Sequence, residues 1–142
     1  EKMTVTIVGA FQSYIRKISA AGSRLNVLEM NREALNEEQR KYFVPAGDYA
    51  TVIPESDIVI ITGQTLVNDT IDNLLNSVAD GTGVVVTGPS GSIIPDILFC
   101  NNVSIVGATR ITDSRLMFDV VGEGGTGFHL FEYCAEKITL LR

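Results

Sequence analysis

One short run of β-branched residues limits what this chain can fold into. Residues 58–61 read Ile-Val-Ile-Ile, with no polar residue between them. The run is too short to span a membrane, and a strand with one wet face would alternate apolar and polar side chains. It therefore predicts a strand inside a parallel sheet that is covered on both faces.

Similar runs alternate with helix-compatible segments along the chain. Strands are predicted at Thr4 to Val8, Leu25 to Leu28, Ile58 to Ile61, Val84 to Val86, Val103 to Val106 and Lys137 to Leu141, while Tyr49 to Ile53 fits either an edge strand or a turn of helix. Helices are predicted at Phe11 to Ala20, Arg32 to Tyr42 with Asn31 as cap, Val67 to Ala79, Pro95 to Phe99, Ser114 to Val121 and Phe128 to Cys134. The pattern predicts an α/β three-layer sandwich, with helices on both faces of a mainly parallel, Rossmann-like sheet. By analogy the strand order is 3-2-1-4-5-6.

Length, charge and cysteine content narrow the class of protein. With 142 residues we expect a single domain, residues 1–142. Because 17 acidic residues outnumber 11 basic ones and no basic cluster is present, no nucleic acid partner is expected. No apolar run reaches the roughly 20 residues of a membrane span. Two cysteines without a CxxC pair favour a reducing cytoplasm. The chain enters a strand almost at once, which favours a domain cut from a longer polypeptide.

Loops of small and polar residues follow several of the predicted strands. One of these predicted loops is Gly107 to Arg110. Because the carboxyl ends of parallel strands meet at the ligand-facing edge of an open sheet, we expect these loops to form a rigidly held binding site. The predicted ligand-binding residues are Gly9, Ala10, Phe11, Glu29, Thr62, Gly63, Thr65, Leu66, Asn68, Gly88, Pro89, Ser90, Thr109 and Arg110.

Glu29 is the candidate contact for a ribose. It follows Gly9 by about 20 residues, which is the offset expected of the acid in a dinucleotide fold. The first turn, residues 9–14, lacks the two further glycines that let a pyrophosphate lie against the backbone, so a dinucleotide is disfavoured. A solvated acid at a strand end is the alternative.

Two features are typical of anion binding and also have structural explanations. Residues 88–92 read Gly-Pro-Ser-Gly-Ser, which either presents backbone N–H groups to an anion or forms a tight turn. Arg110 has a guanidinium suited to phosphate or carboxylate, with a salt bridge as the alternative. Neither feature names a ligand.

Metal and catalytic sites have little support in the sequence. His129 and Cys134 lie five positions apart on one predicted helix and would not face each other, while Cys100 and the three methionines lie elsewhere, so the close ligand pairs of a zinc site are missing. No GxSxG motif surrounds a serine, so no catalytic residue is assigned and enzyme activity stays open.

Several short motifs resemble those of a known family, the putative heavy-metal chelation proteins, a domain family of unknown function. The motifs are Val8 to Phe11, Gly47 to Tyr49, Ile60 to Gly63 with Thr65 to Asn68 and Thr70, Thr87 to Ser90, Gly107 to Arg110 with Asp113, and Glu123 to Gly125. The resemblance implies a Rossmann-like carboxy-terminal domain, preceded in the same polypeptide by a smaller domain similar to the amino-terminal domain of enolases. It also implies a site in the cleft between the two domains and a heavy or transition metal ion as cofactor.

Three functions stay open on this basis. The first is a domain that binds a small molecule or metal complex, where metal enters only with a ligand or through the other domain. The second is an enzyme domain that uses a nucleoside-type cofactor such as S-adenosylmethionine, with Glu29 on the ribose. The third is a protein-interaction module without a small ligand. A homodimer is also an open alternative.

Overall fold

A single seven-stranded sheet forms the centre of the structure, a computed structural model that describes residues 2–142. The strands are β1 Thr4–Val8, β2 Arg24–Glu29, β3 Phe43–Pro45, β4 Ile58–Thr62, β5 Gly83–Thr87, β6 Ile105–Ile111 and β7 Ala135–Leu141. Their order is β3-β2-β1-β4-β5-β6-β7, and all neighbours are parallel except β6 and β7. The predicted α/β class is confirmed. The observed strands β1 to β6 lie in the order 3-2-1-4-5-6, but β3 was not among the predicted strands. Glu1, where the predicted domain begins, lies outside the described residues.

Short helices and turns connect the strands. The helices are α1 Gln12–Ala20, α2 Tyr49–Val52, α3 Gln64–Val67, α4 Ile71–Leu75, α5 Asp96–Cys100, α6 Ser114–Gly122 and α7 Gly127–Tyr133. Four 3₁₀ turns, Arg32–Ala34, Arg40–Tyr42, Ala46–Asp48 and Pro89–Gly91, lie between them. Within residues 2–142, no helix combines the length and the apolar character that crossing a bilayer requires.

Apolar layers form on both faces of the sheet. Val59 and Ile61 belong to the cluster that α4 and α5 cover, and both are fully buried. Ile60 points to the opposite face and packs in the cluster around Ile15 of α1. Successive residues of one strand thus enter different cores, which is why the run contains no polar residue.

The segment 32–42 is not the helix that the sequence predicts. It contains two 3₁₀ turns at its ends and a hydrogen-bonded turn at residues 37–39. The side-chain oxygens of Asn31 and Asn36 each accept a backbone N–H two or three residues later, so each asparagine starts a separate turn. Local hydrogen bonds from asparagine compete with helix formation, and here they interrupt it. Leu35, between the two turns, is almost fully buried.

The helix predicted over Val67 to Ala79 is also wrong in its extent. Two short helices, α3 and α4, replace it, and α3 begins three residues earlier, at Gln64. Asp69 separates them with a φ of 59°, a left-handed conformation that cannot continue a right-handed helix.

Two further predictions need correction at strand ends. Gly107 to Arg110 is not a loop, because β6 continues to Ile111 through its pairing with β7. At the edge of the sheet next to β2, the edge strand is β3. Most of the segment Tyr49 to Ile53, which fitted either an edge strand or a turn of helix, forms α2.

The glycine-rich connection between α6 and α7 is short. Gly122 is the last residue of α6 and Gly127 is the first of α7. Only Gly124 has a positive φ within this connection, 80°. Glycine is therefore required by the backbone conformation at one position of this connection.

Candidate functional site

A cavity of about 360 Å³ lies at the carboxyl-terminal edge of the sheet, beside β1, β2 and β4. It is lined by Val8, Gly9, Leu28, Glu29, Met30, Ala46, Gly47, Tyr49, Thr62, Gln64, Thr65, Asn68, Thr70, Asn73 and Leu74. A wider and more open depression of about 680 Å³ lies at the opposite edge, between charged side chains that include Lys2 and Asp57. The cavity beside β1, β2 and β4 is the candidate site because ligand sites in open α/β sheets lie beyond the carboxyl ends of the strands.

The cavity combines an apolar floor with a polar rim. Val8, Leu28 and Leu74 are at most 9% exposed and belong to the core between the sheet and α4. Most of the hydroxyl and amide side chains around them come from α3, α4 and the residues between these helices. An apolar surface with a few fixed polar groups is the common composition of a small-molecule site.

Glu29 is the only charged side chain among the lining residues. It ends β2, and its Oε1 accepts the backbone N–H groups of Met30, at 2.8 Å, and Asn31, at 3.1 Å. These bonds hold the carboxylate at the turn that follows the strand, where the side chain is partly buried. Neither of the two salt bridges found in residues 2–142 includes it.

Gly9 allows the first turn to come close to the second strand and to Thr62. Its φ is 101°, a conformation that side chains other than glycine rarely adopt, and its N–H donates to the carbonyl of Leu28 at 2.9 Å. A Cβ at this position would lie 3.2 Å from Cγ2 of Thr62. Glycine therefore keeps the β1 end and the β4 end adjacent at the cavity.

The junction between β4 and α3 is held by its own hydroxyl groups. Thr65 is buried, and its hydroxyl donates to the carbonyl of Thr62 at 2.7 Å. The N–H of Gln64 donates to Oγ1 of Thr62 at 3.3 Å. The hydroxyl of Thr70 donates to Oδ1 of Asn68 at 2.7 Å, which links the end of α3 to the start of α4. These bonds order the polar wall of the cavity.

Five of the predicted ligand-binding residues line this cavity, namely Gly9, Glu29, Thr62, Thr65 and Asn68. Ala10 and Phe11 pack instead on the α1 face of the sheet, and Leu66 packs in the opposite core. Gly63 is buried against the backbone of Gly91. The structure thus brings together the ends of β1, β2 and β4, and the binding roles of these residues stay predictions.

The loop Gly88, Pro89 and Ser90 and the end of β6 lie outside the cavity lining. Pro89 and Ser90 belong to a 3₁₀ turn, as the tight-turn alternative predicts. Arg110 forms a salt bridge with Glu136 of β7, and the N–H of Thr109 donates to Oγ of Ser92 at 2.8 Å. The expected convergence of three loops on one cavity is therefore reduced to the β1, β2 and β4 ends.

Sequence reasoning missed one wall of the cavity. Ala46, Gly47 and Tyr49 follow β3, which pairs with β2, and they line the cavity. Their strand is only three residues long and was not recognised, so the segment was not placed at the ligand edge. The break at Pro45 and Gly47, directly after an apolar pair, was the available signal.

Metal binding by this chain alone does not fit the residues present. Across residues 2–142, no group of three or more His, Cys, Asp and Glu side chains is placed to hold an ion. His129 accepts the N–H of Thr126 through Nδ1 as part of a helix cap, and Cys134 is buried. Glu29 would be a single ligand, and a bound metal needs more donors than that.

Comparisons with known proteins point to one family. The model of the family DUF364, described as putative heavy-metal chelation, matches residues 1–140. A solved DUF364 protein of unknown function from Pyrococcus horikoshii matches the whole chain at a TM-score of 0.86 and 21% identity, over 56% of its own length. Another, from Desulfitobacterium hafniense DCB-2, matches the whole chain at 0.80 and 21%, over 54% of its length. An uncharacterized protein of Methanocaldococcus jannaschii is 31% identical over 62 residues, which are 44% of this chain and 24% of that protein. The chain thus spans about half the length of the solved proteins and about a quarter of this curated relative.

Proposed function

Because this chain belongs to the DUF364 family, described as putative heavy-metal chelation, we propose that it binds a small molecule or a metal complex in the cavity beside Glu29. The resemblance predicted from the sequence motifs is confirmed at the level of the family. The ligand and the residues that bind it belong to the proposal.

The observation that carries the proposal is the cavity at the ends of three adjacent parallel strands. Its volume of about 360 Å³ falls within the range of small-molecule sites, roughly 300–1,000 Å³. The buried sheet fixes the floor, and the hydrogen bonds of Thr62, Thr65 and Asn68 fix the wall. A preformed site loses less entropy on binding than a flexible one.

A metal would enter this cavity as part of a complex or would take most of its ligands from another domain. The lone carboxylate of Glu29 supports no other arrangement within residues 2–142. We propose that the second domain is the enolase-like one that the resemblance implies. The solved relatives extend well beyond the matched region, which leaves room for such a domain.

Native mass spectrometry of the full-length protein, purified from its source, tests the proposal. We expect a bound small molecule that survives gentle desolvation. Gly47→Leu should abolish its retention, because Gly47 lines the cavity, its φ is not left-handed, and no atom lies within 4 Å of the position that a Cβ would occupy. Gly122→Leu is the matched control, since that glycine has equal space at the end of α6. Equal retention by both variants would contradict a ligand in this cavity.

A nucleoside-type cofactor such as S-adenosylmethionine is the second candidate. Glu29 and Gly9 line the same cavity, as a contact to a ribose requires, while no glycine-rich phosphate loop reaches it. This version of the proposal makes the domain part of an enzyme. Calorimetry with adenosine-containing cofactors should then give binding that Glu29→Ala removes. No binding by the wild type, or none lost in the variant, would eliminate this candidate.

A protein-interaction module is the third candidate. Phe118 of α6 and Phe128 of α7 are 70% and 73% exposed, and a partner protein could cover these apolar side chains. If this role is the correct one, metal, nucleotide and metabolite screens stay silent while the separate amino-terminal domain binds in trans. Retention of a small molecule by the purified protein would argue against it.

We also propose a reducing cytoplasm as the location. Cys100 and Cys134 are both free thiols, one exposed and one buried, as expected where disulfides are rare. Fractionation of the source cells tests this part of the proposal.

A further inference from the structure

We propose that the cavity beside Glu29 selects uncharged or positively charged ligands and rejects those whose phosphate or carboxylate group must enter it. The inference rests on the proposed small-molecule function and names the chemical class of its ligand. The class is an organic molecule with hydroxyl or amine donors and an apolar portion, for example a nucleoside rather than a nucleotide.

The charge of the cavity wall carries the inference. Glu29 is its only charged side chain, and no Lys, Arg or His is among the lining residues. Three further acidic residues, Asp48, Asp69 and Asp72, are direct chain neighbours of lining residues. No basic residue is a direct chain neighbour of a lining residue. An anionic group would therefore enter a negative field without a positive partner, against a net chain charge of −6.

The Glu29 carboxylate is held in place without being neutralised. Both backbone N–H bonds go to the same oxygen, Oε1, and no salt bridge within residues 2–142 includes this side chain. A partly buried carboxylate gains most from a charge-assisted hydrogen bond, and a ligand amine or hydroxyl supplies such a donor. The adjacent apolar floor of Val8, Leu28 and Leu74 suits the remainder of such a ligand.

The features that could attract an anion lie elsewhere in the fold. Arg110 is paired with Glu136 on β7. The turn Pro89–Gly91 packs against the backbone of Gly63 and does not line the cavity. The cavity and these candidate anion-binding features are thus separate, although all lie near the carboxyl ends of the parallel strands.

A fragment library of matched amines and carboxylates that share the same ring systems tests the selection. Binding to the whole chain is followed by amide NMR, with Gly9, Met30 and Asn68 as reporters of the cavity. We expect amines to shift these reporters and their matched carboxylates to leave them unchanged. Carboxylates that bind there as tightly as amines would overturn the inference and leave the small-molecule function standing. If no fragment shifts the reporters, both fall.

Glu29→Gln separates local from overall charge. The amide keeps a side-chain oxygen for the backbone N–H groups, and loss of the carboxylate should weaken amine binding by about 10- to 100-fold. Glu132→Gln changes the net charge equally at an exposed position on α7 and should leave amine affinity unchanged. Equal losses in the two variants would contradict selection by the cavity. The dispersion of the amide spectrum establishes that each variant is folded.

Discussion

Gly63 lies where the loop after β4 meets the loop after β5. A Cβ on Gly63 would be 2.3 Å from the backbone nitrogen of Gly91, which cannot move as a flexible side chain can. We therefore expect Gly63→Ala to lower the free energy of unfolding by about 1–3 kcal/mol, the usual cost of overpacking. Urea denaturation measures the loss.

Gly47→Ala is the control for this prediction. It places a methyl group in open space at a φ that alanine accepts, so its effect on stability should stay within about 0.5 kcal/mol. Similar losses of stability in the two variants would mean that the close approach of Gly91 is not what requires glycine at position 63.

Single residues of the candidate site were predictable where the signal is local. Glu29 and Thr62 end strands that the apolar runs identify, so their place at the sheet edge follows from the sequence. For Arg110 the sequence left open an anionic ligand or a salt bridge, and the structure pairs it with Glu136 of the antiparallel β7. The partner is 26 residues away in the chain, and no local pattern predicts that register.

At the scale of elements, Leu35 tests the corrected structure of the segment 32–42. An exposed helix would leave this side chain in water, whereas the two 3₁₀ turns bury it to 1% exposure in the α1-side core. Leu35→Ala should therefore cost about 2–5 kcal/mol of unfolding free energy, measured by urea denaturation. Leu116→Ala on α6 is the matched control at 37% exposure. If Leu35→Ala loses as little stability as this control, the result would support an exposed helix over residues 32–42.

Helix α6 provides a second test. Its cap predicts that a substitution at Asp113 changes local stability, whereas its lack of buried residues predicts no change in global stability. Oδ1 of Asp113 accepts the N–H of Leu116 at 3.0 Å, yet α6 contributes no buried residue to the core. Asp113→Ala should remove about 1 kcal/mol of local helix stability. Hydrogen exchange in α6 should accelerate while the global urea midpoint stays unchanged. A lowered midpoint would mean that α6 unfolds together with the sheet.

The elements themselves were predicted unequally well. Strands with continuous β-branched runs were found because burial on both faces leaves no room for polar residues. Helices were overestimated in length where Asn31, Asn36 and Asp69 form local turns. The free energies of such local turns and of a continuous helix differ little, so tertiary packing decides which of the two forms.

For the whole molecule, the strand register gives one row of apolar residues across the sheet. The row runs through Val27, Ile7, Ile60, Val85, Ile105 and Leu141, which are successive partners from β2 to β7. The first two are fully buried, whereas Leu141 is 70% exposed. Cover on the α1 face therefore decreases towards β7, and alternation of elements in the sequence gave no sign of this asymmetry.

This asymmetry predicts how the molecule opens. Amides of β1 and β4, between both cores, should exchange only through global unfolding, while those of α6 and α7 exchange through local opening because neither helix has a buried residue. Native-state hydrogen exchange should separate the two groups by at least about 100-fold in protection, or roughly 3 kcal/mol. Equal protection would require an additional surface covering both helices. Protection that rises with protein concentration would identify that surface as a second copy of the chain, because only an intermolecular contact depends on concentration.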